Sequence, residues 1–252
     1  RTRSNLLPYA LLAPGLLWLL IFFAVPLYYM AEISLKTGTL ETGYRLTWHF
    51  ETYTDAISNY QDQLLRSFEY AALSTVVALV IAFPLAYVIA FRGGRYKNAL
   101  LLLVILPFFI TYLVRTLSWQ TILADDGLIV DVFKTVGLLG DDGRLLATTS
   151  AVVAGITYNF LPFMILPLYV SLEKIDRRLI EAGTDLYPSR TTAFRRVTLP
   201  PALPGIFAGS LLTFIPACGD FINAALLGTP RQYMIGNVIQ NKYLIIQDYP
   251  SA

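Results

Sequence analysis

The 252-residue sequence has one cysteine, Cys218, and one histidine, His49. A lone cysteine excludes a disulfide within the chain and a thiolate cluster around a metal. A lone histidine excludes a zinc constellation and leaves neither a Cys/His dyad nor a Ser/His/Asp triad. No GxxxxGK[ST] phosphate loop occurs, so any energy drawn from ATP must come from a partner. Charge is scarce too. Asp, Glu, Lys and Arg make up 14% of the chain, against roughly 25% in soluble domains. The net charge is +2, and the basic residues are scattered instead of forming a tract, which argues against a nucleic-acid surface. What is plentiful is apolar side chain, 56% of all residues. These proportions describe an all-α polytopic membrane protein in which neither hydrolytic nor metal chemistry is expected.

A helix needs about 20 apolar residues to cross roughly 30 Å of hydrocarbon. Five stretches meet that length, at about 6–30, 68–91, 99–119, 146–170 and 203–227. The first follows Arg1 and Arg3, as a signal peptide would, but its apolar core is too long and "AVPLYYM" lacks a small-residue cleavage pattern, so it reads as a retained span. Lysine and arginine in short loops set orientation. The N-terminus, the 92–97 loop and the 171–200 loop hold Arg1, Arg3, Arg92, Arg95, Lys97, Lys174, Arg177, Arg178, Arg190, Arg195 and Arg196. The opposite loops hold fewer bases and many acids, among them Glu41, Asp55, Asp125, Asp126, Asp141, Asp142 and Asp248. The N-terminus is therefore expected in the cytoplasm, and a sixth span is expected to open near Pro250. Trp18, Tyr28, Tyr29 and Trp119 fall where interfacial aromatic belts form.

The 171–200 loop is longer than a simple connection and is patterned. After Asp176, Leu179, Ala182, Gly183 and Leu186 follow helical spacing on one face. Tyr187-Pro188 breaks that helix, and Ser189 caps a second one bearing Ala193, Phe194 and Val197. "LPPALPG" at 199–205 is expected to end it before the fifth span. Two short helices crossing at roughly 90° present a small apolar knob rimmed by Arg177, Glu181, Arg190, Arg195 and Arg196. The pattern fits a basic helix pair resting on anionic lipid, and it fits equally a knob that docks into a groove of a cytoplasmic protein.

"IEAGTDLYPSRTTAFRRVTLP" resembles the EAA loop of ABC importer permeases, whose pattern is Glu-Ala-Ala-x-x-x-Gly followed further on by Ile-x-Leu-Pro. Glu181 and Ala182 match its start, Gly183 replaces the second alanine, and Leu199-Pro200 match its end. Tyr187 stands at the family's glycine and Val197 at its isoleucine. "LPFFITYLVRTLSWQTILADDGLI", "YNFLPFMILPLYVSLEKID", "IPACGDFINAALLG" and "IGNVIQNKYLIIQDYPSA" are similar to the spermidine/putrescine, PotB-type, permeases of that family. The resemblance implies a type I importer core forming one transmembrane domain over 1–252, with a cytoplasmic coupling loop at 171–200. It implies location in the bacterial inner membrane and four partner subunits besides this chain: a second permease forming a heterodimer, two ATPase copies and an external solute-binding protein. No cofactor is implied in this chain; ATP and Mg would belong to the ATPase. Glu181, Ala182, Gly183, Asp185, Tyr187, Arg190, Phe194, Val197, Leu199 and Pro200 would transmit motion between ATPase and permease.

For a polycationic cargo, the path should offer carboxylates and aromatic faces. Asp220, in the fifth apolar stretch, is the main candidate, because a charge at membrane depth costs at least about 2.5 kcal/mol on insertion scales. Its alternatives are an ion pair with a nearby base or a place at the outer interface. Asn223 lines the same surface only loosely by spacing, and Tyr158 and Trp119 are further path candidates. Asn159 and Phe160 beside Tyr158 are weak pore candidates of a kind that more often packs between helices. Arg115, of the wrong sign for a cation's ligand, is expected to pair with Asp220 or with an acid of a sister subunit, or to snorkel outward. Glu69 is expected at the start of the second span. Other cargoes of related permeases, ferric iron, opines, phosphate or sulfate, remain open, as does a membrane scaffold without transport.

Overall fold

The computed structural model describes residues 7–137, 139–140 and 143–252. Arg1, Arg3, Asp141 and Asp142, which enter the charge comparison above, lie outside the described residues. Four helical stretches among the described residues are long and apolar enough to cross a membrane: Pro8–Ser34, Glu51–Arg92, Thr149–Glu173 and Arg190–Cys218. A fifth span is made by a bent pair, Gly94–Phe109 and Tyr112–Ile122. The chain divides into two compact units, residues 1–61 with 238–252, and residues 62–237.

In the first unit, α1 (Leu7–Leu19) passes through a π-helical turn into α2 (Val25–Ser34). The span they form is strongly apolar yet contributes nothing to a core; Trp18, Phe22, Phe23 and Tyr28 are all mostly exposed. An antiparallel hairpin follows, β1 (Lys36–Thr39) paired with β2 (Gly43–Leu46). It needs glycine at Gly38, where φ is +136° and a Cβ would stand 2.1 Å from the Gly43 carbonyl oxygen. The Tyr44 hydroxyl donates to the Gln247 carbonyl at 2.6 Å, and Lys242 pairs with Asp248 at 3.0 Å. The Asp248 carboxylate also accepts from the Ser251 N–H, and its carbonyl accepts from the Ala252 N–H. That is the bonding of a capped helical turn.

α3 (Glu51–Arg92) begins well before the apolar stretch at 68–91, with one non-helical residue, Tyr60. Glu69 consequently lies inside a helix and not at its start, because helix formation continues through the polar residues that precede the membrane. The second unit is organised around α7 (Thr149–Glu173), started by the Thr148 hydroxyl, which accepts from the Ala151 N–H at 3.2 Å. α3 meets it with a stripe of small buried residues, Ala71, Ser74, Ala78, Ala82, Ala86 and Ala90. On its other flank lies α10 (Leu199–Cys218), with Ala202, Gly205, Gly209, Thr213 and Ala217 buried at three- and four-residue spacing. Lipid tails are as apolar as leucine, so helices in a bilayer gain little by hiding apolar surface and associate instead through the close packing that small residues permit.

Three expected boundaries are revised. The 99–119 stretch is no straight span: α4 (Lys97–Ile105) runs into a 3-10 turn, Leu106–Phe109, and α5 (Tyr112–Ile122) leaves at 92°. Pro107 stands in that turn's first residues, and Ile110 and Thr111 are extended with ψ of 134° and 147°. A short helix, α6 (Leu128–Thr135), follows α5. The 203–227 stretch is also broken, since α10 stops at Cys218 and a short helix, Ile222–Leu227, follows. At its other end, "LPPALPG" does not separate two helices. The helix from Arg190 runs through a π turn, Phe194–Thr198, straight into α10. The wider π turn loosens the hydrogen-bond register just before Pro200 and Pro201, whose missing N–H groups the continuous helix accommodates there.

If close approach at Gly209 holds α10 to α7, Gly209→Leu should destabilise the protein by about 1–3 kcal/mol, because a Cβ there already meets the Met164 sulfur at 2.9 Å. Gly15→Leu, where nothing lies within 4 Å, should leave the thermal midpoint in detergent unchanged. Equal midpoints for the two variants would refute the packing argument.

Candidate functional site

The two broken spans meet at one cluster of polar side chains. Asp220 lies in the break after α10, buried, and its carboxylate is almost fully used by its own chain. Oδ1 accepts from the Asn223 backbone N–H at 3.0 Å, which caps the short helix that follows. Oδ2 accepts from Asn223 Nδ2 at 2.6 Å and from the Tyr112 hydroxyl at the first turn of α5. Asn223 Nδ2 also reaches the Tyr112 oxygen at 2.6 Å. From α7, Asn159 Nδ2 donates to Asn223 Oδ1 at 3.3 Å and to Thr116 Oγ1 at 3.1 Å. Gly155 makes room for this arrangement, since a Cβ there would stand 2.7 Å from Asn223 Oδ1 and 2.4 Å from a Leu227 methyl.

The opened backbone beside Asp220 is satisfied as well. Asn237 Nδ2 donates to the Phe221 carbonyl at 2.8 Å, and Asn237 Oδ1 accepts from the Met234 N–H at 2.9 Å. Gly236 lies so close to Gly219 that a Cβ would be 2.5 Å from its carbonyl oxygen.

Asp220 and Asn223 are therefore direct partners, a tighter contact than the loose shared surface their spacing suggested. Arg115 is not part of that contact. It is buried among the described residues without a salt bridge, its guanidinium 5.3 Å from the Phe108 ring centre and 5.5 Å from that of Tyr112, with Nε and Nη1 unpartnered. Neither pairing with Asp220 nor outward snorkelling describes it, because the Tyr112 ring and Asn223 amide occupy the ground beside the carboxylate. Tyr112 and Thr116 escaped the sequence reading. The signal was present as two hydroxyls at i and i+4 in a span, a spacing that puts both on one helix face.

Trp119 and Tyr158 come together elsewhere, edge to face with ring centres 5.5 Å apart. They line an apolar recess of about 570 Å³ with Leu73, Val77 and Ile81 of α3 and Thr157 and Leu161 of α7. The four path candidates thus fall into two pairs, one in the buried polar cluster and one on an open apolar wall.

The segment between α7 and α10 has the expected two-helix form. α8 (Arg177–Leu186) is capped by Asp176, whose carboxylate accepts from the Arg178 N–H at 2.9 Å. α9 (Arg190–Ala193) is capped by Ser189, which accepts from the Thr192 N–H at 3.2 Å. Gly183 and Val197 touch: a Cβ on Gly183 would be 2.8 Å from a Val197 methyl. Gly183 is buried and Val197 and Phe194 are half-buried, whereas Glu181, Ala182, Asp185 and Arg190 are exposed. Leu179 is 59% and Leu186 75% exposed, so the expected apolar face divides, Gly183 turning inward and the two leucines outward. Leu199 is half-buried and Pro200 exposed at the start of α10.

Tyr187, at the position where the resembled motif has glycine, has φ −106° and ψ 137°. This is ordinary extended backbone that any side chain adopts, and the Arg196 guanidinium lies 5.4 Å from its ring centre. The turn is made by Pro188 and the Ser189 cap and does not require a left-handed residue.

Spans broken within a bundle around a buried, hydrogen-bonded polar cluster, with a capped helix pair projecting between two of them, define a polytopic transport permease. Residues 78–248 match the sequence model of the family described as "Binding-protein-dependent transport system inner membrane component", and the chain belongs to that family. Membership makes it an inner-membrane permease subunit whose partners include, in general, an ATPase, a binding protein and a second permease. The chain is 36% identical over 234 residues to the spermidine/putrescine transport system permease protein PotB of Haemophilus influenzae, covering 92% of this chain and 82% of that protein. It is 34% identical to the PotB protein of Escherichia coli over the same share of this chain and 85% of the relative. A crystal structure of a bacterial ABC transporter involved in the import of the acidic polysaccharide alginate shares the fold, with a TM-score of 0.67 and 20% identity over 99% of this chain and 88% of that one.

Two substitutions probe this geometry. Tyr112→Phe removes a donor to a buried carboxylate and should cost about 1.5–3 kcal/mol, read as a lowered thermal midpoint. Tyr187→Gly, which restores the motif residue, should lower stability by about 0.4–1 kcal/mol through a freer unfolded chain. A gain in stability would show that Tyr187 is strained.

Proposed function

We propose that the chain is one of two permease subunits of a polyamine importer, with spermidine and putrescine as cargo. The observation that carries this reading is the 34–36% identity, over 92% of the chain, to permeases named for spermidine/putrescine transport. The absence of an ATP-binding loop in the sequence fits an import cycle driven by two ATPase copies, which hold ATP and Mg. An external binding protein delivers the cargo. The loop basicity supports a cytoplasmic N-terminus and a cytoplasmic 171–200 segment. On that footing Leu179, Ala182 and Leu186 form the outward docking face. Glu181, Asp185 and Arg190 supply its polar rim, and Gly183, Phe194 and Val197 brace it against the helix that continues through Leu199 and Pro200 into α10. Motion of an ATPase against this face passes along one unbroken helix from Arg190 to the break at Asp220.

The path residues in this reading are Asp220, Asn223, Trp119 and Tyr158. Asp220 and Asn223 set the shape and potential of the wall. A carboxylate already accepting three hydrogen bonds has about one of its four acceptor positions left, so Asp220 attracts a cation mainly through its charge. Trp119 and Tyr158 offer aromatic faces to an alkylammonium chain.

The test is uptake by the assembled complex in vesicles. Labelled spermidine and putrescine should accumulate with ATP inside and binding protein outside, whereas sulfate or molybdate should not. Anion uptake without polyamine uptake would overturn the cargo. Asp220→Asn should abolish polyamine uptake while Tyr112→Phe, which leaves the carboxylate in place, retains it; equal losses would make Asp220 purely structural. Leu186→Glu should cut binding-protein-stimulated ATP hydrolysis on the order of tenfold, the loss of one well-packed interface contact, with no change in thermal midpoint.

A further inference from the structure

At the end of α3 a recess of about 360 Å³ lies between that helix and the α8–α9 pair. Its lining includes Tyr87, Arg92, Thr184, Arg190, Phe194 and Thr198, and no carboxylate. Arg92 closes α3, and Arg190 opens α9. Neither forms a salt bridge among the described residues. Two arginines among the lining residues of one recess, with no carboxylate beside them, make it a basic pocket that favours an anion. Their planar forks suit phosphate oxygens, which they can grip in pairs.

The position of the recess selects the source of that anion. Arg92 directly follows an apolar stretch that ends at Phe91, where hydrocarbon gives way to headgroups and bases collect against anionic lipid. Val88, one turn before Arg92, and Leu203, on α10, are 45% and 42% exposed, as residues facing acyl chains are.

We propose that this recess is a binding site for the phosphate of an anionic phospholipid, held between Arg92 and Arg190. The lipid would tie the end of α3 to the α8–α9 pair and hold that pair at a fixed height on the membrane. The site stands on the membrane placement of the chain; it shares Arg190 with the proposed docking rim, so Arg92→Gln, off that rim, is the variant that separates the two.

The experiment uses the assembled complex in nanodiscs of phosphatidylcholine with graded phosphatidylglycerol, with retained lipid counted by native mass spectrometry. Wild type should retain phosphatidylglycerol over phosphatidylcholine. Arg92→Gln and Arg190→Gln should each weaken that retention about fivefold, the share of one arginine at an anionic surface, whereas Arg92→Lys should keep most of it. Arg195→Gln, which removes a charge off the recess, is the control for general basicity. Retention unchanged in both glutamine variants, or lowered equally by Arg195→Gln, would overturn the site. Displacement of the lipid by millimolar inorganic phosphate with no preference among lipids would assign the recess to a soluble phosphate and overturn the lipid assignment. Lipid retention is read without ATP hydrolysis or uptake, so failure here is separable from failure of the import reading.

Discussion

A helix that stops inside a membrane exposes N–H and C=O groups that lipid cannot satisfy, and each costs several kcal/mol if left alone. Among the described residues the chain stops twice, after Phe109 and after Cys218, and the Asp220 cluster makes the second stop tolerable. Its carboxylate caps the following helix and holds Tyr112 at the first turn of the other broken span, while Asn237 takes up the Phe221 carbonyl. Remove the carboxylate and both interruptions lose an anchor. The polar cluster and the broken spans are thus one feature, since neither is affordable without the other.

Around it, packing relies on small side chains. α7 is flanked by an alanine-rich stripe from α3 and a glycine–alanine stripe from α10, and the same logic at Gly155 admits Asn223 against α7. α10 is continuous with the α9 helix through a π turn. A rigid element therefore runs from the projecting helix pair to the polar cluster, and a displacement at one end reaches the other without crossing a loop. Its weakest place is the π turn itself, where the register shift has relaxed the normal hydrogen bonding.

The projecting pair shows how one fold position accepts different residues. Glycine in a motif is commonly assigned to a left-handed turn, yet Tyr187 sits in extended backbone and the change of direction is made by Pro188 and the Ser189 cap. Gly183, in contrast, is needed for space: Val197 leaves no room for a methyl without shifting. The two departures from the motif have different physical weight, and sequence alone suggests the reverse order.

Composition and hydropathy were enough to establish a polytopic helical membrane chain, its five apolar stretches and a capped amphipathic pair between the last two, because span length and helix capping are local properties written in consecutive residues. That Asp220 and Asn223 share a surface was legible in their spacing, though not the direct bonds between them. The breaks were not. Pro107 and Pro216 permit interruption, but prolines also sit inside continuous helices here, at Pro84, Pro162, Pro167 and Pro204. Whether a span breaks depends on groups outside its own run that can satisfy its backbone, as Asn237 does for the Phe221 carbonyl. The recruitment of Tyr112, Thr116 and Asn159 to Asp220, the isolation of Arg115 from it and the separate pairing of Trp119 with Tyr158 were decided by the tertiary structure. Each depends on which helix faces meet, and in a bilayer that choice rests on fine steric fit between small residues, not on the hydrophobic periodicity a sequence displays.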